Sequence, residues 1–263
     1  MSLMVIWMAL LLVSFTEARR KWDKIDPEVS LFYPGAHYIM LTFHDDGVTA
    51  KETYGTYMNQ LLDILEKRKA RVTFFVQGTN VEKYPEIIKR IHSNKHEIAN
   101  LGWESKESVS TSTGSTAEVT MTSDGTPIDE EIIHLVKQTS QAIEKITGKP
   151  SKVFRPPYIN KDKGKTTFTY YSSKYAELIR SQTGNQVVLW SLESPDIGVT
   201  STNTKVIEEN IMKKAKKGDV VLLHVTPTTV NAMGAVIDQL QSQGYETITL
   251  SEMLSFPDDK PHR

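Results

Sequence analysis

Short apolar runs alternate with longer amphipathic stretches along most of this chain, and no other feature restricts the fold as strongly. Tyr38-Ile39-Met40-Leu41-Thr42-Phe43 and Val72-Thr73-Phe74-Phe75-Val76 have the length and the β-branched and aromatic content of buried strands. Between them, Met58, Leu61, Leu62 and Leu65 fall on one face of a helix. Pro85 stands where proline favours the first helical turn, and Ile87, Ile88 and Ile91 follow it. A strand at Glu97-Ile98-Ala99 comes next. The longest helical pattern, Asp129 to Ile146, is stopped by Gly148 with Pro150 behind it. Further strands are expected at Gln186–Leu192, Val220–His224 and Glu246–Leu250, with helices near Lys174–Arg180, Lys205–Ala215 and Met233–Gln243. Apolar strands separated by helices imply a parallel sheet covered on its faces, an α/β fold.

The 263 residues suit one large domain, since α/β barrels reach this size as a single unit. With 39% hydrophobic residues and a net charge of −1, the chain can bury a sizeable core, and it lacks the basic face a nucleic-acid binder needs. The absence of cysteine removes disulfide scaffolds, thiolate zinc sites and cysteine nucleophiles. All 14 glycines lie at least eight residues apart, which excludes both glycine-rich phosphate-loop motifs. Ser108 to Thr126 reads as a flexible surface loop, and Lys213-Lys214-Ala215-Lys216-Lys217 as a solvated helix C-terminus.

Leu3 to Phe15 is an apolar run of thirteen, shorter than the roughly 20 residues of a membrane span. Thr16-Glu17-Ala18 offers small residues for cleavage after Ala18, so a signal peptide and secretion to the cell surface or wall are expected. Arg19-Arg20 follow and the segment before the run lacks Lys or Arg, which leaves an uncleaved anchor as the alternative.

Ligands of parallel α/β folds bind at the carboxyl ends of strands, and polar residues there are the candidates for chemistry. Asp45-Asp46-Gly47 closes the first strand; a DG turn is the plain alternative, but a helix follows rather than a hairpin partner. Phe154-Arg155-Pro156-Pro157-Tyr158 holds an arginine between rigid neighbours, able to pin a carboxylate bidentately or merely to connect. Trp190-Ser191-Leu192-Glu193-Ser194-Pro195-Asp196 places acids three apart after an apolar strand. His224 ends Val220-Val221-Leu222-Leu223, where a histidine serves equally as a core residue or a general acid. His96-Glu97-Ile98-Ala99-Asn100 misses the HExxH zinc motif at its last position and lies in strand-like context.

In this order, Thr42-Phe43, Asp45-Asp46-Gly47, Thr73-Phe74-Phe75-Val76, His96-Glu97-Ile98-Ala99-Asn100, Phe154-Arg155-Pro156-Pro157-Tyr158, Trp190-Ser191 and Leu222-Leu223-His224 resemble the polysaccharide deacetylases of carbohydrate esterase family four. The resemblance runs from about Tyr38 to Leu254. It implies a single-domain distorted (β/α) barrel over 38–254, preceded by a signal peptide (1–18) and an extension (19–37) and followed by a tail (255–263). Members of this family, chitin and peptidoglycan deacetylases among them, remove acetyl groups from N-acetylated sugars with a divalent metal, often zinc. By resemblance, Asp45 is the general base, Asp46 a metal ligand, Arg155 the residue that orients the base and His224 the acid, with Glu193 or Asp196 tuning it. Pro156, Tyr158 and Trp190 would line the substrate site.

The chain departs from the family at the metal. Two histidines four residues apart are expected after Asn100, and Leu101 and Ser105 stand there. Leucine has no lone pair to give, and a serine hydroxyl is a poor zinc donor. His44 is an extra residue before the aspartate pair. Counted from the strand, His44 takes the base position; counted from Gly47, the aspartates keep their roles and the strand end must bulge. Ile197 replaces an expected aromatic residue. A metal lowers the pKa of bound water from about 15.7 to about 7, roughly 12 kcal/mol, while acid–base catalysis contributes only about 3–5 kcal/mol. The expectation is a secreted deacetylase-fold protein without a metal cofactor, its N-deacetylase activity lost or severely reduced, that binds N-acetylglucosamine polymers. The alternatives are a structural role in a cell wall, an active chitin deacetylase in which His44 and Asp46 hold zinc or another divalent metal, and a different hydrolysis or a non-carbohydrate ligand on the same scaffold.

Overall fold

A computed structural model describes residues 37–103, 127–156, 173–198 and 202–255. Strand β1 (Tyr38–His44) is buried along nearly its whole length and forms the centre of the sheet. A helical turn α1 (Ala50–Glu52) and a π-turn (Thr53–Tyr57) lead into α2 (Met58–Lys67), which buries Met58, Leu61, Leu62 and Leu65, the apolar face read from the sequence. Then come β2 (Thr73–Val76), α3 (Gly78–Lys83), α4 (Pro85–Ser93) and β3 (Glu97–Asn100). Helix α5 (Pro127–Thr147) ends at Gly148, whose φ of +75° suits a residue without a side chain.

The second half contains β4 (Val153–Phe154), α6 (Ser173–Thr183), β5 (Gln186–Val187), β6 (Leu192–Glu193) and α7 (Thr204–Lys214). It closes with β7 (Val220–His224), α8 (Pro227–Ser242), β8 (Glu246–Thr247) and α9 (Leu250–Leu254). The strands form one curled parallel sheet in the order β5-β4-β3-β2-β1-β7-β6, with β8 beside the start of β1. Helices pack around it, giving the single-domain (β/α) barrel architecture. No helix among the described residues is long and apolar enough to cross a membrane.

Alternation along β1 divides the core. Ile39, Leu41 and Phe43 face the helices with Leu61, Leu65 and Val236. Met40 faces the barrel interior with Phe75, Leu101, Val153 and Val220. Thr42 and His44 share the parity of Met40 and so point into the barrel.

Three elements differ from the sequence reading. Gln186–Leu192 divides into β5 and β6, the two ends of the sheet, joined by residues 188–191. Val188 N–H still donates to Phe154 O, and Ser191 N–H already donates to Val220 O. One extended segment therefore leaves β4 and arrives at β7, and the carbonyls it frees are taken up by Arg155. Helix α8 begins at Pro227, earlier than expected, because Thr226 accepts from Thr229 N–H and proline fits the first turn. Strand β8 is short because Thr249 and Glu252 form a capping box that starts α9.

Candidate functional site

His44 and His224 end adjacent parallel strands and are direct partners in the β1–β7 register. Their rings meet edge to face, with centroids 5.3 Å apart. Asp46, two residues beyond the strand end, aims Oδ1 between them, 3.7 Å from Nδ1 of His44 and 4.0 Å from Nε2 of His224. That oxygen is buried without a hydrogen-bond partner. Gly47 lets the loop lie close: a Cβ there would come within 2.6 Å of His224 Cβ.

Behind His224, Asp196 takes Nδ1 at 3.1 Å with one oxygen and the His224 N–H and the Thr229 hydroxyl with the other. Burial pulls the His224 pKa down, but the hydrogen bond and charge of Asp196 outweigh it, leaving it above the ordinary value. For Asp46 burial works upward, yet the two nearby histidines, His44 foremost, outweigh it and hold its pKa low. His44 is pushed down to about 4, mainly by burial and further by Arg155, so at neutral pH it is uncharged.

Arg155 is fully buried below His44. Its Nε and Nη2 donate to the Val188 and Leu189 carbonyls at 2.9 and 2.7 Å, and Nη1 donates to Thr42 Oγ1 at 2.8 Å. The same Nη1 lies 3.3 Å from Nε2 of His44. The guanidinium stacks over Phe75 at 4.0 Å and lies 5.5 Å from the centroid of Trp190. Among the described residues no carboxylate pairs with it.

Asp45 follows the parity of Phe43 and points to the helix side. Its Oδ2 accepts from Tyr54 OH (2.7 Å), Asn80 Nδ2 (2.9 Å) and Gln77 N–H (3.0 Å). Burial, reinforced by Asp46, pushes its pKa up to about 7 against those three bonds. The structure thus brings His44, Asp46, His224, Asp196 and Arg155 together and holds Asp45 apart. Strand pairing runs unbroken to His44, which stands opposite both Phe75 and His224, so β1 carries no bulge. Leu101 is buried in the apolar layer of the barrel interior. Pro156 is buried, Trp190 half-buried, Glu193 exposed and Ile197 56% exposed. Ser105 and Tyr158 lie outside the described residues. Sequence reasoning missed Thr42, Tyr54, Asn80 and Thr229. Thr42 was findable by its parity with His44, and Asn80 by its place just past the carboxyl end of β2.

His44, Asp46 and His224 each offer a donor atom, all within 4.8 Å of one another, as a metal would require. Their chemistry resists it. Zinc bonds of about 2.1 Å at tetrahedral angles put donors about 3.4 Å apart, so the group would have to contract. Arginine only donates, so Nε2 of His44 must accept from it, and the single proton of a neutral imidazole then sits on Nδ1. Nδ1 then carries the proton, 3.7 Å from the Asp46 carboxylate, and has no lone pair for a metal. As arranged, these residues do not fit zinc ligation.

Residues 33–175 match the polysaccharide deacetylase family. The peptidoglycan-N-acetylmuramic acid deacetylase PdaC of Bacillus subtilis is 30% identical over 230 residues, 86% of this chain and 41% of that protein. The chain thus spans about two fifths of the length of that relative. A peptidoglycan-N-acetylglucosamine deacetylase of Bacillus cereus is 30% identical over 224 residues, 83% of this chain and 88% of the relative. Among solved structures, a CE4 family pseudoenzyme from Bacillus anthracis superposes with a TM-score of 0.64 at 20% identity, covering 89% of this chain and 71% of that one, a likeness of fold. With a curled parallel barrel, its ordered strand-end motifs and these matches, the chain belongs to the polysaccharide deacetylase family.

Proposed function

We propose that this chain is a secreted glycan-binding member of its family, in which metal-dependent N-deacetylation is lost or severely reduced. The observation that carries the reading is the placement of His44 between Arg155 and Asp46, which keeps a proton where a metal would need a lone pair. Leu101, at the position of an expected metal histidine, is buried among apolar side chains and contributes no donor. Without a metal the water nucleophile loses roughly 12 kcal/mol of activation, and His224 with Asp196 can recover only about 3–5 kcal/mol.

What remains suits recognition of a polar sugar. Asp46 Oδ1 makes no hydrogen bond among the described residues, its nearest imidazole nitrogen being 3.7 Å away, and a glycan hydroxyl or amide N–H that reached it would satisfy it. Ile197 supplies exposed apolar surface next to Asp196 for the carbon face of a ring. By their names, the curated relatives act on peptidoglycan, and a polymer containing N-acetylglucosamine is the ligand class we assign. The apolar segment Leu3–Phe15 supports export, with cleavage after Ala18.

One observation favours a second reading, an active deacetylase with a rearranged metal site: three donor atoms lie within 4.8 Å around an unpartnered carboxylate oxygen. Metal analysis of the purified protein, with acetate release from chitin oligomers and peptidoglycan fragments, separates the two. Saturable glycan binding with no bound metal and no acetate is expected. Stoichiometric zinc together with turnover would establish the second reading instead.

A further inference from the structure

At the opposite end of the strands, where β2 and β3 begin, a cavity of about 320 Å³ opens between the turns that leave α2 and α4. Lys69, Arg71 and Lys95 line it, against the acid Glu66. Arg71 also pairs with Glu252, which leaves the rest of its guanidinium fork available. With Glu252 counted, three cations face two acids, a net single positive charge.

Both lysines have left-handed backbones, with φ of 52° and 64°. Each follows a helix that ends in the same pattern. Lys69 N–H donates to Glu66 O and Ala70 N–H to Leu65 O; Lys95 N–H donates to His92 O and His96 N–H to Ile91 O. Those bonds take up carbonyls at both helix ends, so neither ammonium is required as a capping donor, though the negative end of each helix dipole also favours a cation there. Glycine would make both turns with less strain, yet both positions carry lysine and both border the same cavity.

Beneath them lies His96, 5% exposed, with no hydrogen-bond partner on either ring nitrogen among the described residues. Nδ2 of Asn94 is likewise buried without a partner. Idle buried polar groups are costly, and here Asn94 Nδ2 and the single N–H of His96 are donors without an acceptor, beside lysines. Burial, with Arg71 adding to it, holds the pKa of His96 down to about 4, so the imidazole is a neutral donor at physiological pH.

We propose that this cavity binds a phosphate group, free or as the monoester of a small molecule. Lys69, Lys95 and Arg71 supply charge, and His96 and Asn94 turn toward the ligand as neutral donors when it seats. The several acceptor oxygens of a phosphate match this number of donors, and the volume leaves room for the group it esterifies. The site lies at the other end of the barrel from His44 and His224 and is independent of the glycan reading.

The test is thermal melting of the full chain in inorganic phosphate and in glucose 6-phosphate, each against sodium chloride at equal ionic strength. Wild type and the variant carrying Lys69→Gly with Lys95→Gly are compared. A saturable rise in Tm with at least one phosphate is expected, and the arm that produces it identifies free phosphate or ester. The double variant should melt above wild type in chloride, since two left-handed positions become glycine, yet bind phosphate at least tenfold more weakly. His96→Asn should also weaken binding. A phosphate shift no larger than that of chloride, or one that persists undiminished in the double variant, would overturn the proposal.

Discussion

Nη1 of Arg155 lies 3.3 Å from Nε2 of His44, and because a guanidinium has no acceptor, this contact decides where the imidazole carries its proton. Nitrogen-15 NMR at pH 7 should report His44 as the neutral Nδ1–H tautomer. Arg155→Lys, which replaces a planar fork by a point charge, should release that constraint and mix the tautomers. An Nε2–H signal in the wild-type protein would remove the objection to metal ligation.

Leu101→His together with Ser105→His places histidines at the two positions where the family resemblance leads one to expect them, but at Leu101 it buries a polar ring in an apolar layer. Without metal, stability should fall by about 2–4 kcal/mol. If the remaining site is intact, zinc should restore the loss and bring measurable acetate release. A variant that gains neither places the defect beyond the ligands, with His44 first in line.

His96 sets an acid limb to stability. Its folded pKa of about 4 lies below the ordinary 6.5, so the unfolded chain binds the proton more readily. The stabilisation is complete above pH 6.5 and is lost as pH falls toward 4, by roughly 3 kcal/mol in all. His44 adds a similar acid loss, and Asp45, raised to about 7, an opposing gain. His96→Phe should therefore remove only the His96 share, read as the difference from wild type in urea titrations across this range.

Tyr54→Phe removes the 2.7 Å bond to Asp45 while keeping the ring stacked on Tyr84 at 4.6 Å. A hydrogen bond to a buried carboxylate is worth about 1.5–3 kcal/mol. The urea midpoint should fall accordingly with an unchanged slope. In a double-mutant cycle with Asp45→Asn, the two losses should not add.

Gly47→Ala would place a methyl 2.6 Å from His224 Cβ and 2.9 Å from Thr226 Cγ2. Relief requires the loop to move away from β7, at about 1–3 kcal/mol. Thermal melting should show the loss, and glycan affinity should drop with it as Asp46 shifts.

The strand–helix alternation was legible because its signals are local. Val220–His224 and the apolar face of Met58, Leu61, Leu62 and Leu65 stand where periodicity puts them. The break within 186–193 was not, because it depends on Arg155, a residue more than thirty positions away, taking up the freed carbonyls. The cluster at His224 could be anticipated from polar residues at strand ends, and Asp196 proved to be its partner. The register question around His44 could not be decided from spacing, since both counts satisfy the motif. Only the unbroken pairing of β1 with β2 and β7 shows that His44 faces the interior and Asp45 the helices.

Arg155 also fastens the two edges of the sheet, because the Val188 and Leu189 carbonyls it binds belong to the segment that passes from one edge to the other. Replacing it would leave those carbonyls and Thr42 without their donor in a dry interior, whatever became of the chemistry above. Selection for folding alone therefore suffices to preserve this arginine, with or without catalysis. By itself, an intact arginine motif is a marker of descent and carries no information on activity.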